Sequence, residues 1–248
     1  EIDTHDVIIR HMRFRRGSTD VYYRNDALGG NPVGNIILDH CSGSWGLDEV
    51  ISIYRHMYNR DSTGIGTKMP TVNMTIQNSI FAEGLDTYNH AFGGTLGGNE
   101  CLVVRNLFAS NVGRNPSISS SAFNYINNVV FNYWNRTADG IGAYGRLNVI
   151  NNYYKPGPIT PKGKAIEHRV VKLETSTDNL KRMINISQDE QVPAPDRSDR
   201  TPRRGHIYVE GNYVDGNPIV SRDNWEGGVQ LSDSSATGPY TAMLRAKE

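Results

Sequence analysis

Residues 124–129 read Asn-Tyr-Ile-Asn-Asn-Val, and residues 148–153 read Asn-Val-Ile-Asn-Asn-Tyr, so one short pattern returns along the chain. In each copy an apolar alternation leads to an Asn, which is followed by another apolar residue. Alternation with a period of two is typical of a β-strand, and these segments are too short for stable helices. A recurring pattern of this kind is the mark of a repeat architecture.

The same pattern occurs five more times, with His or Asn as the anchor that closes the alternation. The seven anchors are His11, His40, Asn78, Asn106, Asn128, Asn152 and Asn212. Their spacing is that of a solenoid with insertions, in which each coil adds a strand to a continuous sheet. Stacked Asn side chains can hydrogen-bond along such a column. The sequence therefore predicts an all-β fold, a single-stranded parallel β-helix.

The composition agrees with a turn-rich fold. The 248 residues carry 26 basic and 26 acidic side chains, and they include 25 Gly and 24 Asn, both of which are common in turns. Apolar runs are too short for a membrane span, and the hydrophobic content is too high for general disorder. The balanced charge also excludes the electrostatic footprint of a duplex-binding protein.

We expect one domain over residues 1–248, with residues 156–205 as a long excursion from the solenoid. Neither terminus reads as the capping unit that a solenoid needs, so we expect that the N-terminal coils and the C-terminal cap are missing. Cys41 and Cys101 lie at different offsets from their anchors and two coils apart. Disulfide geometry excludes such a pair, and both are expected to be unpaired.

Charged residues recur eight positions after four successive anchors, at Asp48, Asp86, Arg114 and Arg136. Such charges are most often solvated turn residues. A carboxylate and a guanidinium two coils apart, ~10 Å by strand spacing, would nevertheless suit a sugar between them.

Three residues at or near the second anchor have side chains that could serve a function. Asp39 and His40 are read as a polar corner of the coil rather than as a catalytic pair. Trp45 either stacks on a sugar or packs the turn.

Residues 35–50, Asn-Ile-Ile-Leu-Asp-His-Cys-Ser-Gly-Ser-Trp-Gly-Leu-Asp-Glu-Val, resemble a signature of the pectate lyases of polysaccharide lyase family one. Further matches follow in order, at residues 25–28, 105–109 and 113–116, and then at 149–158 and 223–228. The resemblance runs from about residue 5 to Gly228. It implies a right-handed parallel β-helix that cleaves α-1,4-linked polygalacturonate by calcium-dependent β-elimination, giving 4,5-unsaturated oligogalacturonides.

The resemblance also implies a Ca²⁺ site. The positions that match the family's ligands are Asp26 and Asp48, and two carboxylates leave room for substrate oxygens around an ion that takes 6 to 8. Some members carry another acid where Ser52 stands here. Glu49 is a third candidate, ranked below Asp48 because adjacent strand residues point to opposite faces.

The family's proton-abstracting arginine matches Arg114, and a guanidine base predicts activity favoured at alkaline pH, because free guanidinium titrates above ~12. His90 falls where relatives place a substrate-binding cation. Ser117 stands where many members have a further arginine, which puts substrate affinity in question. Arg136 is expected to contact a neighbouring sugar.

Three other functions stay open at this point. A polygalacturonase-type hydrolase would need clustered carboxylates, and the chain has no Asp-Asp pair. The acids at positions 26 and 48 argue against a calcium-independent pectin lyase. The departures at Ser52 and Ser117 keep a non-catalytic polysaccharide-binding β-helix open. We expect a secreted protein, extracellular or, in a bacterium, periplasmic or on the cell surface, that acts as a monomer on pectate without nucleic-acid or membrane partners.

Overall fold

The computed structural model describes residues 1–18, 23–58, 67–120, 122–141, 145–174 and 205–231. In these residues the chain winds through seven coils, and each coil contributes a strand to each of three parallel sheets. Parallel neighbours one coil apart, with no closed barrel, define a parallel β-helix and confirm the predicted fold class.

Sheet one contains all seven repeat segments found in the sequence. Its strands, in spatial order and numbered along the chain, are β1 (His5–Arg10), β4 (Gly34–Asp39), β9 (Val72–Gln77), β11 (Phe92–Val104), β14 (Ala122–Ile126), β17 (Arg146–Ile150) and β20 (His206–Glu210). All neighbours are parallel. The pattern of alternating apolar residues therefore identified this sheet completely.

Sheet two follows sheet one after a short corner in every coil. Its strands are β2 (Arg13–Arg15), β5 (Ser42–Ser44), β10 (Ile80–Ala82), β12 (Leu107–Ala109), β15 (Val129–Phe131), β18 (Tyr153–Lys155) and β21 (Tyr213–Val214). Phe81 and Phe108, in adjacent coils, are fully buried with ring centroids 5.5 Å apart. Each such ring contributes about 1.5–3 kcal/mol by leaving water, so the stack holds neighbouring coils together.

Sheet three completes each coil and carries the residues that matter for function. Its strands are β3 (Leu28–Gly29), β6 (Glu49–Ile53), the first half of β11, β13 (Ser117–Ser120), β16 (Ala138–Gly140), β19 (Val171–Leu173) and β22 (Val229–Leu231). The long strand β11 serves two coils, because its first half pairs in sheet three and its second half in sheet one.

The corner between sheets one and two has two residues in every coil, and we call it the asparagine corner. Its first residue is left-handed in all seven coils, with φ between 51° and 67°. These residues are His11, His40, Asn78, Arg105, Asn127, Asn151 and Gly211. Its second residue follows in the same order as Met12, Cys41, Ser79, Asn106, Asn128, Asn152 and Asn212.

The predicted anchor column is wrong by one residue at this corner. The first three anchors, such as Asn78, occupy its left-handed position, whereas the last four, such as Asn106, occupy the position after it. In the sheet register Gln77 pairs with Val104, so Asn78 lies beside Arg105. Asn serves both positions for different reasons, since it tolerates φ above zero and also fills hydrogen bonds, and the sequence pattern did not separate the two.

Buried asparagines at the second position form the predicted ladder. The Oδ1 atom of Asn128 accepts the backbone N–H of Asn106 at 2.9 Å and its side-chain amide at 3.1 Å. Asn152 does the same for Asn128, and Asn212 for Asn152. The free Nδ2 donors reach strand carbonyls, as from Asn128 to Val103 at 2.9 Å. A buried column with every polar atom paired fixes the stacking of these coils.

Helical structure is confined to short segments of the described chain. They are two 3₁₀ turns, Asp86–Tyr88 and Ala165–His168, and the helix α1 (Pro218–Arg222). None of these segments has the length and apolar character that a membrane-crossing helix requires. A β-hairpin of β7 (Arg55–Tyr58) and β8 (Thr67–Pro70) leaves the solenoid after β6.

Two expectations about the chain have different outcomes. Cys41 and Cys101 are buried and unpaired, as expected. The excursion at 156–205 stays a prediction over much of its length, because residues 175–204 lie outside the described part. Within its described part, however, β19 pairs with β16 and β22, so residues 171–173 belong to the stacked sheet.

Candidate active site

Charged residues line the bend that precedes each strand of sheet three, and we call this bend the charged corner. It carries, in six successive coils, Asp26, Asp48, His90, Arg114, Arg136 and Arg169, each one to three residues before its strand. Because parallel strands start at one edge of their sheet, these side chains lie in a row along the solenoid. The sequence placed all but Arg169 among its candidates.

Three carboxylates meet at the first two coils of this row. The Oδ1 atom of Asp26 accepts the backbone N–H of Glu49 at 2.9 Å. Burial raises the pKa of Asp26 to about 8, and the nearby carboxylates of Glu49 and Asp48 add to the effect. Burial, followed by the charge of Glu49, also raises the pKa of Asp48. A nearby positive charge would relieve this mutual repulsion, because it favours the ionised form of each carboxyl group.

Cationic side chains surround the same acids. Asp48 pairs with His90 Nε2 at 2.9 Å and with Arg24 Nε at 3.2 Å. Glu49 pairs with Arg114 and accepts the Thr95 hydroxyl at 2.7 Å. Burial lowers the pKa of His90, and the charge of Asp48 opposes this shift.

The ligand atoms of Asp48, Glu49 and His90 all lie within 4.8 Å of one another. The expectation that Asp48 and Glu49 point to opposite faces is wrong. Asp48 lies in the bend before β6, where strand alternation does not apply, so both carboxylates reach the same point. The oxygen donors of Asp26, Asp48 and Glu49 fit a hard cation such as Ca²⁺, whereas the imidazole of His90 does not.

Two arginines lie further along the row, on one aromatic ring. The guanidinium carbons of Arg114 and Arg136 are 4.4 Å and 4.8 Å from the centre of the Phe92 ring, and the His90 ring meets Phe92 edge-on at 4.3 Å. About a quarter of each arginine side chain is exposed. Phe92 therefore gathers three potential anion contacts beside the acidic cluster.

Buried asparagines hold the backbone under these arginines. Asn115 Nδ2 donates to the Arg136 carbonyl at 2.9 Å, and its own Oδ1 accepts from Asn111 at 3.1 Å. Tyr125 donates its hydroxyl to the Asn115 carbonyl at 3.3 Å. This network fixes the bend of Arg114, whose φ is 52°. The high asparagine content of the sequence indicated side-chain hydrogen bonds of this kind, but it did not indicate which residues form them.

The equal offsets that the sequence suggested for Asp48, Asp86, Arg114 and Arg136 hold only in part. Glu49 and Gly113 both pair with Phe92, so Arg114 lies two residues beyond the level of Asp48. Asp86 lies exposed in a 3₁₀ turn, where its carboxylate accepts the Ala91 N–H at 3.3 Å and its backbone carbonyl accepts the Asn89 N–H at 3.1 Å. Corner length differs between coils, so an offset counted from the anchor drifts.

Other polar residues named from the sequence lie away from the cluster. Asp39 is the last residue of β4, and its bonds to Asn78, Arg10 and His40 lower its pKa. It thus supports the coil beside the asparagine corner, which agrees with the structural interpretation made from the sequence. Trp45 is 42% exposed and donates its indole N–H to Glu83 at 3.1 Å, so its ring stays available to a ligand.

A cleft of about 370 Å³ opens beside the acidic cluster. Asp26 and Asp48 form one side of it, and Arg16, Arg24 and Phe14 are among its other lining residues. Together with the row of the charged corner, it defines the class of this molecule. The chain is a parallel β-helix protein with a row of carboxylates and arginines along one corner, which is the candidate active site.

The sequence is similar to that of curated proteins named as probable pectate lyases. Probable pectate lyase C of Aspergillus fumigatus is 36% identical over 278 residues, covering 95% of this chain and 60% of the relative. That of Emericella nidulans is 34% identical, covering 96% of this chain and 47% of the relative. That of Aspergillus flavus is 37% identical over 161 residues, covering 62% and 34%.

These similarities confirm the predicted resemblance to pectate lyases over nearly the whole chain. The chain spans between about a third and three fifths of the length of these relatives. No family model matches the sequence.

Proposed function

We propose that this chain is the catalytic β-helix of a secreted pectate lyase, which cleaves α-1,4-linked polygalacturonate by β-elimination. The observation that carries the proposal is the charged corner, where Asp48 and Glu49 pair with His90 and Arg114, two residues that contact the Phe92 ring. The relatives named pectate lyase support the class of enzyme. The proposed partner is the polysaccharide alone, bound by a monomer.

Ca²⁺ is the proposed cofactor, and Asp26, Asp48 and Glu49 are its proposed ligands. Their oxygen donors, and the raised pKa values of Asp26 and Asp48, fit such an ion, as described above. When bound, Ca²⁺ would join the anionic enzyme site to the sugar carboxylate and withdraw electrons from the carbon beside it. His90 and Arg24, which now pair with Asp48, would then be free to face the substrate.

Arg114 is the proposed base. Its Nη1 atom is held by Glu49 and lies 3.4 Å from the Thr95 hydroxyl, while its guanidinium packs on Phe92. In the reaction, a nitrogen of Arg114 in its neutral guanidine form takes the proton α to the sugar carboxylate. The electron pair of that C–H bond forms the new C=C bond, and the glycosidic C–O bond breaks on the neighbouring carbon. The guanidinium so formed is paired with Glu49, and the glycosidic oxygen that departs from the neighbouring carbon carries away the electrons of its bond and takes a proton from water.

Arg136 and His90 are the proposed substrate contacts. Both rest on the Phe92 ring next to Arg114, so a uronate placed over the base lies within their reach. Charge-assisted hydrogen bonds from guanidinium groups suit planar carboxylates. Arg136 thus supplies a cation next to Ser117, where the resemblance led us to expect an arginine.

The test is cleavage of polygalacturonate with and without a calcium chelator. The purified protein should generate the ultraviolet absorbance of unsaturated products with Ca²⁺ and lose it with the chelator. New reducing ends without that absorbance would show a hydrolase. Binding without cleavage would show a polysaccharide-binding β-helix, and cleavage unaffected by the chelator would contradict the metal site.

A further inference from the structure

Asp139 is a buried carboxylate that the proposed reaction leaves without a role. It lies in β16, beside Ser117 of β13 in the sheet register, and is 1% exposed. The Ser117 hydroxyl and the Arg136 guanidinium both interact with it, but among the described residues neither makes a hydrogen bond of normal geometry to its oxygens. Burial raises its pKa, and the charge of Arg136 opposes this shift.

The partner of this carboxylate is Arg136, three residues earlier. Arg136 Nη1 lies 3.3 Å from Asp139 Oδ2 in an ion pair. A carboxylate buried without a compensating cation would cost several kcal/mol, so Asp139 holds Arg136 strongly in place. The residue thereby fixes a side chain that reaches toward the Phe92 ring.

Further contacts hold the backbone and the side-chain stem of Arg136, which lead to that ring. Gly113 lies beneath it, and a Cβ atom there would come within 3.1 Å of the Arg136 Cβ and 3.2 Å of its Nε. The Arg136 carbonyl is bonded to Asn115. The backbone, the stem and the guanidinium of Arg136 are therefore each held by a separate contact.

Arg114 is held in a parallel manner. Its guanidinium is backed by the buried Glu49, as that of Arg136 is backed by Asp139, and both contact Phe92. A guanidinium has five N–H donors, so each of these groups can bind an anion while its own carboxylate pair persists. Fixed forks of this kind suit a single carboxylate.

We infer that Asp139 is a positioning residue, which holds Arg136 beside Arg114 so that both guanidinium groups bind one carboxylate of the substrate. The inference rests on the proposed function, because the anion is taken to be a uronate. It adds to that function a residue that contacts neither substrate nor metal.

A double-mutant cycle in steady-state kinetics on polygalacturonate with saturating Ca²⁺ tests this role. The variants are Asp139→Asn, Arg136→Ala and the double variant, with Asp215→Asn as an acid control at the end of β21. We expect Asp139→Asn to raise KM about tenfold while kcat changes less than about twofold. In the Arg136→Ala background the same substitution should leave KM unchanged.

The outcomes separate the inference from the proposed function. Circular dichroism melts establish that each variant is folded at the assay temperature. A cleaving wild type whose KM is unaffected by Asp139→Asn overturns the inference alone, as does an equal rise in KM with Arg136 absent. A wild type that does not cleave polygalacturonate overturns the proposed function and the inference together.

Discussion

The two corners that flank sheet two differ in how they use the repeat. The asparagine corner has two residues in every coil, whereas the charged corner has four between Ser44 and Glu49 and fifteen between Lys155 and Val171. The first corner repeats one residue type in its last four coils. The residues of the second change along the solenoid, from acids in its first two coils to arginines in its fourth to sixth coils.

This difference shows how a solenoid separates stability from chemistry. At the asparagine corner each amide pairs with the same amide one coil away, so identity between coils is what makes the bonds possible. At the charged corner an active site needs acids in one coil and bases in another. The change of residue type between coils is what brings the carboxylates of Asp48 and Glu49 against His90 and Arg114.

The largest expected effect is on kcat and comes from the arginine of the charged corner, compared with an arginine of the asparagine corner as its control. Arg114→Lys should lower kcat on polygalacturonate by about 10²–10⁴-fold, because the proposed base is lost. Arg105→Lys, at the left-handed position of the asparagine corner, should change kcat less than about twofold. Equal losses in both variants would show that the two corners are not functionally distinct.

The acids of the charged corner are expected to control the metal requirement. Asp48→Asn should raise the Ca²⁺ concentration for half-maximal activity by about 10–100-fold, since one ionised ligand is lost. Glu210→Gln, at the end of sheet one, is the matched control and should leave the calcium dependence unchanged. Calcium titrations of the initial rate measure both, and an unshifted curve for Asp48→Asn would remove this residue from the site.

The ladder is expected to carry stability instead. Asn128→Ala should lower the free energy of unfolding by about 2–4 kcal/mol, because buried donors of neighbouring coils lose their acceptor. Asn124→Ala removes an amide contact to Asn148 on the exposed side of sheet one and should cost about 0.5 kcal/mol. Urea unfolding measures the free energy of unfolding of both variants. Similar losses in the two would show that the ladder stabilises the protein no more than an exposed amide contact does.

The smallest expected effect is on the stability of the folded protein at low pH. The partners of Asp39 lower its pKa in the folded protein, so it contributes stability that is present above its ordinary value and is lost as the pH falls through and below about 4. Asp39→Asn should therefore flatten the fall of the melting temperature between about pH 5 and pH 2.5. A variant that loses stability as steeply as the wild type would refute this linkage.

Sheet one and the ladder could be predicted from sequence, because their strands alternate strictly and their corner has constant length. Sheet three could not, since short segments such as Ala138–Gly140 show no such alternation. Most site residues were predicted from the resemblance, and the structure places them in one row along the charged corner, with Arg114, Arg136 and His90 on the Phe92 ring. Asp139 was missed because a single Asp in a short strand gives no signal until its burial is known. Arg169 fell within the stretch assigned to an excursion.

The constant length of the asparagine corner also tells where the chain can accept insertions. A third residue there would shift every following side chain to the opposite face of its strand. The bends around sheet three already differ by many residues without disturbing the stack. These bends can therefore be lengthened, shortened or exchanged between related solenoids, and the groups along the charged corner can change while sheet one and the ladder stay the same.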